Sequence, residues 1–467
     1  MTPAAIDVTV LGTHWSRLRA LLDNGGREAA AYLLLGHASI GQDPWGGEPR
    51  LRLVSHEHRD IPEVDRISSS GRHVTWGTAG YMHLLSDAKA RDLVPAIVHT
   101  HPGGRAFFSE QDDANEVELA RTARNKQLRG LASIVLGGDG SVVARLWMPD
   151  GTAPQAAWVQ SVGGRLSRWG SLPGPEGQND HLDRQARLFG PGFNDLVRSL
   201  RVAVVGAGGT GSPVGMLLSR LGVGHLLLVD RDVVEVTNLN RVHGSRRSDA
   251  DARLPKVEVL QREINAAGLG VQVETRRAWV NEPALRDALR SCDAVFSCTD
   301  DHAGRALLNR LAYHYGIPVI DVGLRMVRRP GGGHDVNGRV TTLVPGHPCL
   351  LCGGFIDARR AAEEALERTD PAEFARRKEE AYVQGSGDPA PAVVTFTTEM
   401  ASVAVNELVS MLTGFHGEAG MVPTRYRRFH ARDDRFLAVE ARPGCRVCET
   451  GEAWGRGDTE PFLGMVG

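Results

Sequence analysis

Short apolar segments separated by turn residues fill the first third of the chain and predict a mixed α+β unit. Glu28–Gly36 and Pro95–Val98 have the length and the apolar content of buried strands. Apolar runs on both sides of Gly137–Gly140 predict a hairpin, and the spacing over Ala79–Asp92 predicts a helix. We therefore expect a compact α+β domain over residues 1–170.

The pattern changes after residues 171–180, a stretch rich in glycine, proline and polar side chains that predicts a linker. Arg201–Val205 is a short apolar strand, and a glycine-rich turn, a helical stretch to Leu221 and a second apolar strand, His225–Val229, follow it. This order is typical of a Rossmann-like, doubly wound α/β domain. The second domain is predicted over residues 181–467.

Composition and charge exclude several classes of protein. The 467 residues carry a formal net charge of −2, whereas a nucleic-acid-binding protein normally has a basic surplus. No segment approaches about 18 consecutive apolar residues, and the N-terminus lacks a basic segment followed by an apolar one, so neither a membrane span nor a secretion signal is expected. We expect a cytoplasmic protein that binds neither nucleic acid nor membranes.

The segments His99-Thr100-His101 and Ser109–Asp112 together predict a metal site. Two histidines at positions i and i+2 of a strand point to the same side of the sheet, so both imidazoles can reach one ion. Ser109 has the position of a helix N-cap and Asp112 that of the third helical residue, so both lie at one end of the helix. Two imidazoles and one carboxylate leave the fourth tetrahedral position for water, as in a catalytic zinc site.

A water bound at such a site needs a general base. Glu28 is the candidate, because it begins an otherwise apolar strand where a charge has no packing role. The alternative interpretation is that these residues are surface histidines and an ordinary helix cap. A second pair with the same spacing, His56 and His58, has no serine and aspartate after it and predicts only an exposed strand.

The pattern His-x-His-x7-Ser-x2-Asp with an upstream glutamate resembles the JAB/JAMM (MPN+) metallopeptidases. Members of that family cut isopeptide or peptide bonds after the C-termini of ubiquitin-like proteins. The resemblance implies that His99, His101 and Asp112 bind a catalytic zinc and that Glu28 is the general base. It also implies that Ser109 hydrogen-bonds the attacking water or the developing oxyanion.

The glycine-rich turn of the second domain predicts a nucleotide-binding site. Its glycines let the backbone approach a phosphate at a helix N-terminus, and they are Gly206, Gly208, Gly209 and Gly211. Asp230 ends the next strand and can bind a ribose hydroxyl. This motif alone does not separate ATP chemistry from that of a nicotinamide dehydrogenase.

Polar residues beyond the second strand favour a triphosphate. Asp232, Asn238, Arg241 and Lys256 follow that strand closely, and a reacting polyphosphate needs such cations whereas a hydride donor does not. Asp300 ends another apolar strand at the carboxyl edge, where ligands of open α/β sheets bind. It is a candidate ligand for magnesium.

Four of the six cysteines form two Cys-x2-Cys pairs, which indicates metal binding more than a disulfide scaffold. Together Cys349, Cys352, Cys445 and Cys448 supply a closed tetrahedral set, so we predict a structural zinc. The alternative is that these cysteines lie in the core without a metal.

From about His181 to Cys448 the chain resembles the ThiF/MoeB-type adenylyltransferases, the family of ubiquitin-activating-like enzymes. The resemblance implies that Mg²⁺-ATP binds here, with Asp230 and Asp232 at the ribose and near the metal. It implies that Asn238, Arg241 and Lys256 contact the phosphates and that Arg241 and Lys256 are also catalytic. It further implies that Asp300 contacts magnesium.

The same resemblance implies a homodimer, because Arg184 matches an arginine that this family delivers to the ATP of the partner subunit. Two positions depart from the family pattern. Val242 follows Asn240-Arg241 where the family has glutamine, and Asp301 follows Asp300 where the family has asparagine.

The chain lacks a clear catalytic cysteine for a thioester. Cys292 and Cys298 lie beside or within a predicted buried strand, where a structural role is expected. The segment Ala358–Pro391, where the family's crossover loop and its cysteine lie, has no cysteine and predicts a solvated helix. Val393–Leu412 predicts a packing helix at a dimer interface. We therefore expect adenylation without an internal thioester.

These features together predict a bifunctional enzyme of a bacterial-type ubiquitin-like or sulfur-carrier pathway. A zinc-dependent peptidase would cleave after the C-terminal glycine of a small carrier ending in Gly-Gly, and the second domain would adenylate that C-terminus. A separate conjugating-type enzyme is a further candidate partner. The alternatives are a peptide-modifying enzyme of natural-product biosynthesis and a binding scaffold without activity.

Overall fold

The structure is a computed structural model that describes residues 3, 5–61, 66–69, 74–170, 180–329, 331–379, 391–417 and 421–459. The chain divides into two compact units. The first contains the chain up to the predicted linker, His314–Gly316 and the stretch that begins at Gly451, and the second contains the rest. Apart from Asp180, the predicted linker lies outside the described residues.

The first unit is built on one large mixed sheet. Its elements are β1 (Ala5–Leu11), α1 (Gly12–Ala20), β2 (Ala30–Ile40), β3 (Arg50–Asp60), β4 (Arg66–Ser69), β5 (Val74–Trp76), α2 (Thr78–Ala90), β6 (Val94–His101), α3 (Glu110–Asn125), β7 (Leu131–Gly137), β8 (Val142–Trp147), β9 (Trp158–Val162) and β10 (Leu166–Gly170). Eight strands pair in the order β10-β9-β1-β3-β2-β6-β7-β8, and β4 pairs with β5 in a separate ribbon. The predicted α+β architecture and the β7–β8 hairpin are present.

Both faces of this sheet are buried, which explains the continuous apolar runs in the central strands. Along β2, Leu33 and Leu35 belong to one hydrophobic cluster, whereas Tyr32 and Leu34 belong to the other. Helices α2 and α3 cover the second face, and α1 packs Leu18 against the first. Strand β6, which carries His99 and His101, is thus fixed on both sides.

The stretch that begins at Gly451 completes the first unit beside β2 and β3. His56 Nδ1 donates to the Trp454 carbonyl at 2.5 Å, and the Asp458 amide donates to the His37 carbonyl at 2.7 Å. A Cβ on Gly36 would collide with the backbone of Gly455, so these two segments of the chain approach as closely as glycine allows. His56 and His58 lie in strand β3 as expected, but the prediction that they are exposed is wrong, because this region covers His56 and both are buried.

A neighbouring histidine, His14, makes the first unit sensitive to acid. Its Nδ1 lies 2.8 Å from Ser55 Oγ, and burial, assisted by the charges of His58 and His56, lowers its pKa from 6.5 to about 4. Above pH 6.5 the ring is neutral in the folded and the unfolded chain and adds no pH dependence. Between pH 6.5 and about 4 only the unfolded chain binds the proton, so the free energy of unfolding falls as the pH falls.

We expect His14→Asn to lose less stability than the unsubstituted protein when the pH is lowered through this window. The difference in slope is at most about 1.4 kcal/mol per pH unit, the value for one group that titrates only in the unfolded state. Urea unfolding followed by tryptophan fluorescence at a series of pH values measures it. His83→Asn, which changes an exposed histidine of α2, is the control. Equal slopes for His14→Asn and the unsubstituted protein would contradict the prediction.

The second unit contains the predicted strand, glycine turn, helix and strand. Its elements are α4 (Asp183–Phe189), α5 (Pro191–Ser199), β11 (Arg201–Val205), α6 (Gly211–Leu221), β12 (His225–Val229), α7 (Arg247–Asp251), α8 (Lys256–Ala266), β13 (Gln272–Arg276), α9 (Arg286–Arg290), β14 (Ala294–Ser297), α10 (His302–Tyr315), β15 (Val319–Arg328), β16 (His334–Leu343), α11 (Ala358–Thr369), α12 (Pro371–Glu379), α13 (Val394–Thr413), β17 (Thr424–Arg428) and β18 (Asp433–Phe436). The strand order is β13-β12-β11-β14-β15-β16-β17-β18.

The first five strands of this sheet are parallel and the last three add antiparallel pairs. Val205 pairs with Val229 on one side and with Ser297 on the other. The residues that follow these three strands therefore meet at one carboxyl edge, where ligands bind in open α/β sheets. No helix within the described residues is long and apolar enough to span a bilayer.

The two helical predictions near the end of the chain differ in outcome. Helix α13 matches the predicted packing helix, with Met400, Ala404 and Leu408 buried. The predicted solvated helix is instead two helices, α11 and α12, and α11 is not solvated all round, because Ala361 and Glu363 are buried. Residues 380–390 of that prediction lie outside the described residues.

Candidate metal centre and candidate nucleotide site

The structure brings the three predicted zinc ligands of the first unit together. One ligand atom from each of His99, His101 and Asp112 lies within 4.8 Å of the other two. His99 Nε2 is buried, has no hydrogen-bond partner, and lies 3.4 Å from Asp112 Oδ1. A buried imidazole nitrogen without a partner beside a carboxylate and a second imidazole fits a zinc ion, which takes nitrogen and oxygen ligands.

Local sequence fixes the carboxylate of this site. Ser109 is the N-cap of α3, and its hydroxyl accepts a hydrogen bond from the Asp112 amide. Asp112 Oδ2 accepts in turn from the Ser109 amide at 2.8 Å and from its hydroxyl at 2.7 Å. Burial would raise the pKa of Asp112, but the neighbouring His99 and these hydrogen bonds outweigh it and hold that pKa well below its usual range. Asp112 is therefore ionised and ready to bind a cation.

Glu28 lies beside this group, two residues before β2 and not within that strand as predicted. Its Oε1 is 3.8 Å from His101 Nε2, and 8% of its side chain is exposed. Burial raises the pKa of Glu28, and the charge of Asp112 adds to that effect while His99 opposes it. A carboxyl group with a raised pKa is better suited to take and return a proton near neutral pH.

The loop between β6 and α3 is held by the turn between β7 and β8. The Gly138 amide donates to the His101 carbonyl at 2.9 Å, and the Ala106 amide donates to Ser141 Oγ at 2.7 Å. In this loop Phe107 is 55% exposed, with its ring edge-on to His101 at 4.9 Å between centroids. The sequence does not predict its place at the site, because an apolar residue before an N-cap is common.

The glycine turn of the second unit has the tight geometry that the motif predicts. Gly206 has a φ of 91°, and a Cβ there would lie 2.7 Å from the Cys298 carbonyl oxygen. A Cβ on Gly211 would collide with the Gly206 carbonyl. A Cβ on Gly209 would press on the Arg241 side chain at 3.1 Å, which shows that Arg241 lies against the turn. Gly208 has open space at its Cα.

Aspartates at the carboxyl edge have different surroundings. Asp230 accepts from the Ala207 amide at 2.7 Å and from the Asp232 amide at 2.8 Å, and burial raises its pKa although Lys256 lowers it. Asp300 is exposed and lies three residues after the end of β14 at Ser297, not at the end of the strand as predicted. An exposed carboxylate at this edge fits magnesium, which takes one or two carboxylates together with phosphate oxygens and water.

The residues predicted to contact the phosphates differ in their hydrogen-bond and ion-pair partners. Lys256 begins α8 and pairs with Asp232 at 2.9 Å at the same edge. Arg241 is turned by hydrogen bonds to the Thr237 carbonyl and to Asn240 Oδ1. Asn238 is buried and its Oδ1 accepts from the Glu235 amide, so a phosphate contact would come from its Nδ2 and stays a prediction. Arg184 is exposed on α4, and its role in a partner subunit stays a prediction.

The four cysteines of the two pairs meet at one point, with their sulfurs all within 4.8 Å of one another. Cys349 and Cys445 are 3.9 Å apart, and Cys352 and Cys448 are 3.5 Å apart. Tetrahedral zinc with a Zn–S distance of about 2.3 Å requires sulfurs about 3.8 Å apart, so the set fits a structural zinc.

The two remaining cysteines are poorly suited to nucleophilic chemistry. Cys292 is buried and its thiol donates to the Ala288 carbonyl at 3.3 Å. Burial, with the charge of Asp321, raises the pKa of the Cys298 thiol well above its usual value. A thiol with a raised pKa has little thiolate at neutral pH.

Comparison with known families decides the class of the second unit. A sequence model of the ThiF family matches residues 182–447. The chain belongs to the ThiF family. A model described as prokaryotic homologues of the JAB domain matches residues 14–149, so the ThiF-type region is preceded by a JAB-like domain, as the two resemblances predict.

The relatives of this ThiF-family chain include several adenylyltransferases. It is 35% identical over 178 residues to the SAMP-activating enzyme E1 of Haloferax volcanii, which covers 37% of this chain and 61% of that protein. It is 26% identical to the molybdopterin-synthase adenylyltransferase of Escherichia coli, over 57% of this chain and 94% of that protein. The solved structure of E. coli MccB with ATP shows 18% identity and a TM-score of 0.42, over 59% of this chain and 76% of that one.

Proposed function

We propose that the chain is a two-site enzyme acting on the C-terminal tail of a small ubiquitin-like or sulfur-carrier protein. The second unit adenylates the tail carboxylate with ATP, and the first hydrolyses a peptide or isopeptide bond after the same tail. The observation that carries the proposal is the shared carboxyl edge of a ThiF-family sheet, where the glycine turn, Arg241, Lys256 and Asp300 lie. The names of the relatives, one of which activates the sulfur carrier ThiS, support the substrate class.

In the adenylation step a carboxylate oxygen of the tail attacks the α-phosphorus of ATP. The bond from that phosphorus to the oxygen bridging to the β-phosphorus breaks, and pyrophosphate leaves. Lys256 and Arg241 hold the phosphates in line and offset the charge that develops on pyrophosphate. Asp300 would hold a magnesium ion, which would offset part of that charge.

The product of this step is an acyl-adenylate and not an enzyme thioester. The raised pKa of Cys298 and the burial of Cys292 support this part of the proposal. The acyl-adenylate is therefore handed to an external nucleophile, which a separate conjugating or sulfur-transferring protein can provide. A homodimer in which Arg184 reaches the partner's ATP, and a cytoplasmic location, where ATP is at hand, complete the proposed arrangement.

In the proposed peptidase site, side chains of the first unit bind the metal ion and transfer one proton. His99, His101 and Asp112 would hold a zinc ion, whose Lewis acidity would make a bound water nucleophilic near neutral pH. Glu28 accepts the proton of the attacking water and returns it to the leaving amine. Ser109 lies at the rim, and its hydroxyl, which donates to Asp112 Oδ2 at 2.7 Å, turns from that carboxylate to donate to the oxyanion during the reaction.

Pyrophosphate exchange tests the adenylation half of the proposal. We expect the protein to incorporate labelled pyrophosphate into ATP only when a small β-grasp protein with a free C-terminal Gly-Gly is added. The same carrier with its terminal glycine removed is the matched control. Exchange driven instead by a short peptide would favour the peptide-modifying alternative. No exchange with any carboxylate substrate would contradict adenylation altogether.

A further inference from the structure

Helix α11 holds the segment that directly follows Asp300. Three contacts join this helix and its cap to the next three residues: Arg368 Nη2 lies 3.1 Å from Asp301 Oδ1, Glu364 Oε2 accepts from the Ala303 amide at 2.8 Å, and the Asp357 amide donates to His302 Nδ1 at 3.1 Å. Helix α11, which lies in the segment without the family's cysteine, thus contacts the residues that follow Asp300, the candidate magnesium ligand.

The contact between Arg368 and Asp301 is well shielded from solvent. The Arg368 side chain is 13% exposed and that of Asp301 is 12% exposed. The Arg368 guanidinium lies 3.9 Å from the ring centroid of Trp279, which follows β13 at the same sheet edge. Arg231, the residue after Asp230, contacts that ring as well at 4.4 Å. A cation this buried is costly unless it is paired, and stacking on an aromatic face and pairing with Asp301 offset that cost.

Asp301 is the acid that stands where the family pattern has asparagine. Its carboxylate caps α10 by accepting from the Gly304 amide at 2.5 Å and from the Thr299 hydroxyl. Asparagine has one side-chain oxygen that can cap a helix in the same way, so capping does not require the charge. The charge instead adds a second carboxylate next to Asp300, where a triphosphate has to bind, and like charges at such short range repel.

We propose that Arg368 is a positioning residue of the nucleotide site. It neutralises Asp301, so that the charge of this carboxylate neither repels the phosphates nor competes with Asp300 for magnesium. The role rests on the proposed ATP-dependent function. The proposal predicts that the two positions depend on each other. Arg368 should be needed for tight Mg-ATP binding only while residue 301 is an acid.

Calorimetric titration of Mg-ATP into four variants of the full-length protein tests this dependence. We expect Arg368→Gln to raise the Kd for Mg-ATP about 10-fold and to raise the magnesium concentration needed for half-maximal pyrophosphate exchange. Asp301→Asn combined with Arg368→Gln should restore the Kd to within about 3-fold of the unsubstituted value. Arg368→Lys should keep most of the affinity, because it keeps the charge. Arg359→Gln, which changes an exposed arginine of α11, is the control and should have no effect.

The Mg-ATP affinity of the double variant separates positioning from packing. If Arg368 only packs α11 onto Trp279, the double variant binds Mg-ATP as weakly as Arg368→Gln, and the proposal is overturned. Unchanged binding by Arg368→Gln also overturns it while leaving adenylation intact. A protein that binds no Mg-ATP before any substitution contradicts the proposed function and this role together.

Discussion

Replacing Glu28 by glutamine should stop tail cleavage while leaving the zinc in place. Glutamine keeps the shape of the side chain but cannot accept the proton of the attacking water. General acid–base groups contribute about a hundredfold to ten-thousandfold in rate, so we expect a loss of that size in kcat. Glu28 is 3.8 Å from His101 and is not among the grouped zinc ligands, so metal binding should persist.

Cleavage of a carrier fused through its C-terminal glycine to a reporter peptide, followed by mass spectrometry, measures this loss. Zinc content is determined on the same preparations by elemental analysis. Glu110→Gln, which changes an exposed glutamate in the first turn of α3, is the matched control and should cleave normally. A Glu28→Gln protein that cleaves at the unsubstituted rate with zinc bound would remove Glu28 from the mechanism.

The second large effect is expected at Lys256, because it begins α8 at the carboxyl edge and its ammonium group is held by Asp232 at 2.9 Å. Loss of one preorganised charge that stabilises developing negative charge costs about a hundredfold to a thousandfold in rate. We therefore expect Lys256→Ala to lower kcat/KM for carrier-dependent pyrophosphate exchange by that amount. The protein should still fold, because the partner carboxylate of Asp232 is 55% exposed and stays solvated when the ammonium group is removed.

Initial rates of exchange across a series of ATP concentrations give kcat and KM separately. Lys378→Ala, in helix α12, changes an exposed lysine of the same unit and should leave both constants unaltered. Tail cleavage by Lys256→Ala should also be normal, because the peptidase residues belong to the first unit. Full exchange activity in Lys256→Ala would show that the phosphates are bound elsewhere.

The parts of both sites that local geometry determines could be predicted from the sequence. The i, i+2 spacing of His99 and His101 and the cap from Ser109 to Asp112 each need only a few neighbouring residues. Their arrangement in the structure follows from strand and helix geometry alone. The glycine turn is predictable for the same reason, since a Cβ at Gly206 or Gly211 has no room.

The parts that depend on distant segments could not be predicted. The pairing of Arg368 with Asp301 and Trp279 joins three segments of the chain, and in the sequence Arg368 is one of many charges in a helix. The burial of His56 requires Trp454, which lies 398 positions further along.

The contacts around Gly36 and Gly455 have a consequence for the covalent layout of the molecule. Because the stretch from Gly451 belongs to the first unit, the polypeptide leaves that unit, builds the ThiF-type unit and returns. In sequence, the ThiF-type unit is therefore an insertion within the first unit and not a separate domain placed after it. Translation has to pass residue 451 before the edge beside β2 can close. A fragment cut at the predicted linker would lack residues 451–459, which pack against β2 and β3 of the first unit.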